Sequence, residues 1–334
     1  MPLDPSEVQA RLEEEIQTYR DVENVHDLPE IFHLWSNRYV LPKLWDCGFL
    51  TLDDFYLHYL AEACHGSPGR ATIVSVGSGN GDLEVGLAKR LLERGVRNFH
   101  FRCLELNPAM NARGQKAAER AGVAEFCSFE EVNLEDWRPD RRASVCLANH
   151  SLHHLVGLEA LFEKIHGALE EDGVFLINDM IGRNGHMRWP EASLHVEKIW
   201  AEMPRRYKYN HQLARWDDDF VNWDCSSSGH EGIRAQDILP LLMETFHFDC
   251  FIAFANVIDV FVDRSYGHNF DPQDPNDLAF IERIARLDET LLDKGEVKPT
   301  HLFAAARTKP VDKLRCFSHW TPEHCLRVPG GEGS

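Results

Sequence analysis

The chain has 334 residues, 43% hydrophobic and 27% charged, enough to bury a sizeable core as one large domain or two modest ones. Its formal net charge is −19, from 35 basic and 54 acidic residues, with no basic stripe to offset it. Such a surface repels phosphate backbones, so nucleic acid is not an expected partner.

Residues 1–65 read as an N-terminal helical cap, with apolar and aromatic positions at Ile31, Phe32, Leu34, Trp35, Tyr39 and Leu44. An α/β core over 66–182 opens with a strand at 72–76 that enters the glycine loop Gly77-Ser78-Gly79-Asn80-Gly81. A helix over 82–93 puts Leu83, Leu87 and Leu91 on one face and stops at Gly95. A strand at 99–106 follows, then a helix from Pro108 towards Gly122, proline at its start and glycine at its end. Strands at 126–134 and 143–148, a helix at 158–169 and a short buried strand at 174–177 complete the run. This alternation predicts an α/β fold with a doubly wound, mostly parallel sheet and helices on both faces.

The pattern breaks over 183–232, where aromatic and polar groups cluster without strand periodicity, and this segment reads as a lid insert. The core resumes over 233–309 with a helix at 234–246, a long strand at 248–262, a helix at 275–292 and a last strand at 300–306. The tail at 310–334 reads as peripheral. The nine cysteines form no CxxC pair and suggest reduced, partly buried thiols rather than a disulfide framework. The first residues are polar and acidic, and no apolar stretch reaches the ~18 residues of a membrane span. A cytoplasmic protein without membrane contact is expected.

Strand, glycine loop and helix form an anion- or nucleotide-binding arrangement, and the spacing selects the ligand. A dinucleotide loop places its third small residue five positions after the first. Here Gly81 falls four positions after Gly77, and Asp82 puts a carboxylate where a pyrophosphate would sit. A phosphate-free ligand with a cationic end is favoured, and S-adenosylmethionine meets both conditions. Glu105, closing the second strand, stands where a carboxylate accepts hydrogen bonds from ribose hydroxyls.

With these residues the chain resembles the class I S-adenosylmethionine-dependent methyltransferases. The resemblance rests on Val74 to Asp82, Glu105, Asn149-His150-Ser151-Leu152-His153-His154-Leu155 and Glu171 to Ile177, in that order and spacing. It implies a seven-stranded Rossmann-like sheet with S-adenosyl-L-methionine as cofactor. It further implies that Gly77, Ser78, Gly79, Asn80, Gly81 and Asp82 wrap the methionine and ribose. Glu105 and Leu106 would hold the ribose side, Asn133 and Leu134 the adenine, and Asn149 and His150 the methionine part near the transferred methyl. Ser75 departs from the pattern, since an acidic residue usually stands there and organises the loop near the methionine amino group.

Methyl transfer from a sulfonium needs positioning and water exclusion, and a base only if the acceptor must lose a proton. His150, His153 and His154 after the fourth strand, and His186 after the fifth, are the candidate bases. The same histidines also suit a structural turn entering a helix. In the lid, Arg183, His186, Arg188, Tyr207 and Trp223 are the candidate acceptor contacts, an arginine there being suited to an acceptor carboxylate. Trp35, Arg38 and Tyr39 of the N-terminal helices are placed to close over the cofactor from the other side.

The expected partner is a small-molecule acceptor, methylated on oxygen first, with N- or S-methylation of a metabolite or amino acid as the alternative; a homodimer is an allowed assembly. Asn149-His150-Ser151-Leu152 lacks the Pro-Pro-aromatic tetrapeptide of amide and adenine methyltransferases. A nicotinamide-dependent oxidoreductase and a non-catalytic cofactor-binding module are the readings of other classes. Cys316, His319, His324 and Cys325 are metal-ligand types, but their spacing matches no common zinc pattern, and no metal is expected.

Overall fold

The computed structural model describes residues 28–227 and 230–328. Part of the N-terminal cap (1–27), two lid residues (228–229) and the end of the tail (329–334) lie outside the described residues. Three helices open the described chain: α1 (Glu30–Tyr39), α2 (Leu41–Asp46) and α3 (Leu52–Gly66). Thr51 caps α3, its hydroxyl accepting from the Asp54 N–H at 3.1 Å.

The core then alternates as β1 (Ala71–Val76), α4 (Asp82–Glu93), β2 (Phe99–Glu105), α5 (Pro108–Ala121), β3 (Cys127–Glu131), β4 (Ala143–Asn149), α6 (Leu158–Ala168) and β5 (Leu169–Met180). The lid holds α7 (Pro190–Glu202) and a small hairpin, β6 (Tyr209–Asn210) with β7 (Arg215–Trp216). After it come α8 (Ala235–Thr245), β8 (His247–Phe254), α9 (Asp259–Val262), α10 (Pro275–Asp293), β9 (His301–Arg307), β10 (Arg315–Cys316) and α11 (Pro322–Cys325).

The main sheet runs β10-β8-β9-β5-β4-β1-β2-β3. Every neighbouring pair is parallel except those made by β9, which lies antiparallel between β5 and β8. β1 sits between β2 and β4, so successive connections leave it in opposite directions. The carboxyl ends of β1, β2 and β4 therefore flank a crevice where such sheets bind ligands. The central strands are buried on both faces, as their Val, Ile, Leu, Phe and Cys runs require.

Three expectations change. The sheet has an eighth strand, because the tail is not peripheral: Arg315 and Cys316 pair with β8, and Trp320 is 2% exposed. The strand expected over 248–262 ends at Phe254. Ala255 takes a left-handed φ of +58°, and the Asn256 and Val257 N–H groups donate to the buried Asp288 carboxylate, turning the chain into α9. The third strand stops at Glu131, leaving Asn133 in the following loop with its Oδ1 accepting from the Glu135 N–H. Among the described residues no helix is long and apolar enough to cross a membrane.

Candidate active site

Gly77, Gly79 and Gly81 have φ of +66°, +57° and +69°, a region that costs other residues roughly 1–2 kcal/mol each. They serve different ends. A Cβ at Gly77 would fall 2.6 Å from the Ser151 Cβ, and one at Gly81 would fall 2.5 Å from Phe129 Cε1. A Cβ at Gly79 would meet only Met110 Cε at 3.6 Å, ordinary contact. Gly77 and Gly81 are glycines for the protein's own packing, whereas Gly79 leaves space above the loop.

The Glu105 carboxylate ties this loop to the end of β2. Its Oε2 accepts from the Gly79 N–H at 3.0 Å and its Oε1 from the Asn107 N–H at 2.8 Å. Asn107 in turn caps α5 through Ala109. The acidic group missing at Ser75 returns from the helix: the Ser75 hydroxyl donates to Glu84 Oε1 at 2.5 Å. Glu84 is 1% exposed, its Oε2 has no hydrogen-bond partner, and burial pushes its carboxyl up to about 7.

A cavity of about 910 Å³ lies along this edge of the sheet. Following the strand order, it runs from Asn133 and Leu134 after β3, through Glu105 and Leu106 at β2 and Gly77 to Asn80 with Asp82 at β1. It continues past Asn149 and His150 at β4 to His301 and Phe254 at β9 and β8. Gly81, expected among the cofactor contacts, does not line it, because it packs against Phe129 at the start of α4.

His153 and His154 also line the cavity, with Glu231. Ser151 and Leu152 donate their N–H groups to Asp179 Oδ2, which fixes the turn after β4. Asp179 Oδ1 lies 2.6 Å from His153 Nδ1. Burial opposes a charge on His153, but the Asp179 carboxylate and then Glu231 outweigh it and raise the imidazole to about 10. His186 does not line the cavity, but its Nε2 reaches Glu231 Oε1 at 2.6 Å, and burial lowers its pKa. The four candidate bases thus lie in one region, with rings of His150 and His186 centred 6.4 and 5.3 Å from that of His153.

The lid contacts are corrected. Arg188 is buried and turned inward, bonded to Asp259 and to the His186 carbonyl. Tyr207 stacks on Phe270 at 4.6 Å between ring centres, and its hydroxyl donates to Asp277. Arg183 donates to the Arg188 carbonyl beside Trp189, and Trp223 is exposed. None of these four lines the cavity. The lid's aromatic groups instead form its own core, where Trp200 is 2% exposed and donates to the Asp218 carbonyl.

The N-terminal helices do cover the cavity, but with a different face. Phe32, Ser36, Val40 and Leu44 line it at four-residue spacing, while Trp35 is in the core and Arg38 pairs with Glu282 at 2.9 Å. The rings of His319 and His324 lie 4.7 Å apart, and their Nε2 atoms bond the carbonyls of Asp293 and Leu292.

Sequence reasoning missed Glu84, Asp179, Glu231 and His301. Of these, Asp179 had a signal, an acidic residue two places beyond a fully apolar strand.

These residues fit S-adenosylmethionine. Gly79 leaves room for a ligand, Glu105 stands beside it, and Glu84 offers a buried acceptor without a partner in a cavity wall. Fold and site fit a class I S-adenosylmethionine-dependent methyltransferase. Residues 73–173 match the family model described as a methyltransferase domain, and S-adenosylmethionine-dependent methyl transfer is the activity this match supports.

Among solved structures, the chain is similar to a geranyl diphosphate C-methyltransferase from Streptomyces coelicolor A3(2), in complex with Mg²⁺, geranyl diphosphate and S-adenosyl-L-homocysteine. That match has 13% identity, a TM-score of 0.48, and covers 92% of this chain and 100% of the other. It is also similar to an S-adenosylmethionine-dependent methyltransferase from Geobacter sulfurreducens in complex with S-adenosyl-L-homocysteine, at 14% identity, TM-score 0.41, covering 85% and 99%. A third is the corresponding complex from Thiobacillus denitrificans, at 14% identity, TM-score 0.41, covering 85% and 100%. No curated protein matches the sequence.

Proposed function

We propose that this methyltransferase acts on an oxygen of a small-molecule acceptor. The observation that carries the reading is the single cavity that begins at the glycine loop and Glu105 and ends among imidazoles. Its volume, about 910 Å³, suits a cofactor together with a small acceptor, since small-molecule sites span roughly 300–1,000 Å³.

When bound, S-adenosylmethionine supplies the methyl group. The chain's residues position the partners. Gly79 leaves the approach open, Glu105 takes the ribose hydroxyls, and Glu84 takes the cationic amino group that an acidic residue at 75 would otherwise meet. Asn133 and Leu134 hold the adenine side. Asn149, whose Oδ1 accepts from Asn178 Nδ2 at 2.8 Å and from the Tyr56 hydroxyl at 3.3 Å, is fixed at the junction of the two halves. The helices α1 and α2 cover the cavity with apolar side chains and exclude water. His150, His153, His154 and His186 gather where a hydroxyl proton would be taken.

The test is a screen of small hydroxy and carboxy compounds with methyl-labelled cofactor, with the methylated atom read by NMR. Label on oxygen is expected. Label confined to nitrogen, sulfur or carbon overturns the oxygen assignment.

A further inference from the structure

The histidine end of the cavity holds more ligating groups than one proton transfer needs. Glu231 Oε1 lies 2.6 Å from His186 Nε2 and 3.4 Å from His153 Nε2, and Glu231 Oε2 lies 3.6 Å from His154 Nε2. One ligand atom each from His153, His186 and Glu231 falls within 4.8 Å of the others. These residues come from the turn after β4, the turn after β5 and the loop before α8, so no local motif accounts for their convergence.

The surroundings orient the rings as metal sites orient theirs. Asp179, fully buried, holds His153 Nδ1 at 2.6 Å, which fixes the ring and turns Nε2 towards the cluster. His186 sits at φ +55° directly after Gly185 at φ +64°. A left-handed backbone at a non-glycine residue persists only where its environment imposes it, commonly at functional sites. A Cβ at Gly232 would lie 3.0 Å from His186 Cε1, so glycine there admits the ring beside Glu231. Glu231 stays 38% exposed while His153 is 4% exposed, a cluster closed at the back and open in front. A simple ion pair needs one imidazole per carboxylate. Here Glu231 alone faces the Nε2 atoms of three imidazoles, more donors than an ion pair uses.

We propose that His153, His186 and Glu231 bind a divalent first-row transition-metal ion of the zinc or iron(II) kind. Two imidazoles and one carboxylate are the donor set such ions take, whereas magnesium and calcium prefer oxygen alone. Three protein ligands leave coordination positions open. Glu231, His153 and His154 line the cofactor cavity, so those positions face the space assigned to the acceptor. The acceptor is then a hydroxylated compound that ligates the metal through oxygen. This last step rests on the oxygen-acceptor reading above; the metal site itself does not.

The test uses the full chain, stripped with a chelator and titrated with Co²⁺. One equivalent is expected to bind with visible bands of nitrogen and oxygen coordination, and catechol, as an oxygen-donor probe, should shift them. His186→Ala and Glu231→Ala should each weaken cobalt binding by more than the ~10–100-fold typical of losing an outer-shell partner. Both should keep the wild-type affinity for S-adenosylmethionine, measured by calorimetry, which shows they are folded. Wild-type protein that takes up no cobalt, or variants that bind it like wild type, overturn the metal site. Bands unmoved by catechol overturn the open positions. Cofactor affinity retained while cobalt is refused leaves the methyltransferase reading standing; cofactor affinity absent from every preparation overturns that reading instead.

Discussion

The two ends of the cavity are built in opposite ways. The cofactor end is nearly continuous in sequence: Gly77 to Glu84 supply the loop and the buried carboxyl, and Glu105 closes it from the adjacent strand. The histidine end is assembled from His150 to His154, Asp179, His186, Glu231 and His301, five separate stretches of chain. At the cofactor end each residue's role follows from local backbone geometry. At the histidine end it follows from which side chains neutralise which. The first end should fail through the loop, the second through charge balance.

The largest effect falls on charge balance. Arg188 and Asp259 are each under a tenth exposed and bonded to one another. Arg188→Met leaves a buried carboxylate alone and should destabilise the protein by about 3–5 kcal/mol in urea denaturation. Unchanged stability with a raised acceptor KM would return Arg188 to acceptor binding and break the contrast between its two roles.

Next come the glycines. Gly77→Ala combines backbone strain with a collision against Ser151 and should cost about 2–5 kcal/mol, whereas Gly79→Ala should cost only the strain, about 1–2 kcal/mol. Thermal unfolding of both separates packing glycine from ligand glycine, and equal costs would contradict the distinction. Glu105→Ala should weaken S-adenosylmethionine binding by roughly 1–3 kcal/mol in calorimetry. Unaltered affinity would remove Glu105 from the ribose.

The smallest effect is a slope. Burial raises Glu84 from 4.5 to about 7, so the folded state prefers its protonated form. The stability this group contributes is fully present below about pH 4.5 and is lost as pH rises through about 7. A cationic ligand favours the carboxylate, so affinity for S-adenosylmethionine should increase between about pH 6 and about pH 8 in wild type and stay flat in Glu84→Gln. Parallel profiles would take Glu84 away from the cofactor.

What was legible in the sequence follows the same division. The glycine loop, Glu105 and the strand-helix alternation carry local signals: residues that tolerate positive φ, and a carboxylate at a strand end. The sheet was legible down to its seventh strand. The eighth was not, because a two-residue pairing at Arg315 and Cys316 leaves no periodicity. The strand expected to reach Val262 failed because its turn is dictated by Asp288, over thirty residues away in sequence. In the lid, Arg188 and Tyr207 looked like ligand contacts because nothing in their own sequence reveals Asp259 and Asp277, which claim them. Glu231 was missed for the same reason, since its significance is only that three imidazoles distant in sequence point at it.

The most direct test is a crystal structure with S-adenosyl-L-homocysteine. Its ribose is expected on Glu105, its amino group near Glu84, its adenine beside Asn133 and Leu134, and its sulfur on the side of Asn149 and His150 that opens to the histidines. A ligand bound in that cavity in the reverse orientation, or outside it, would contradict the account.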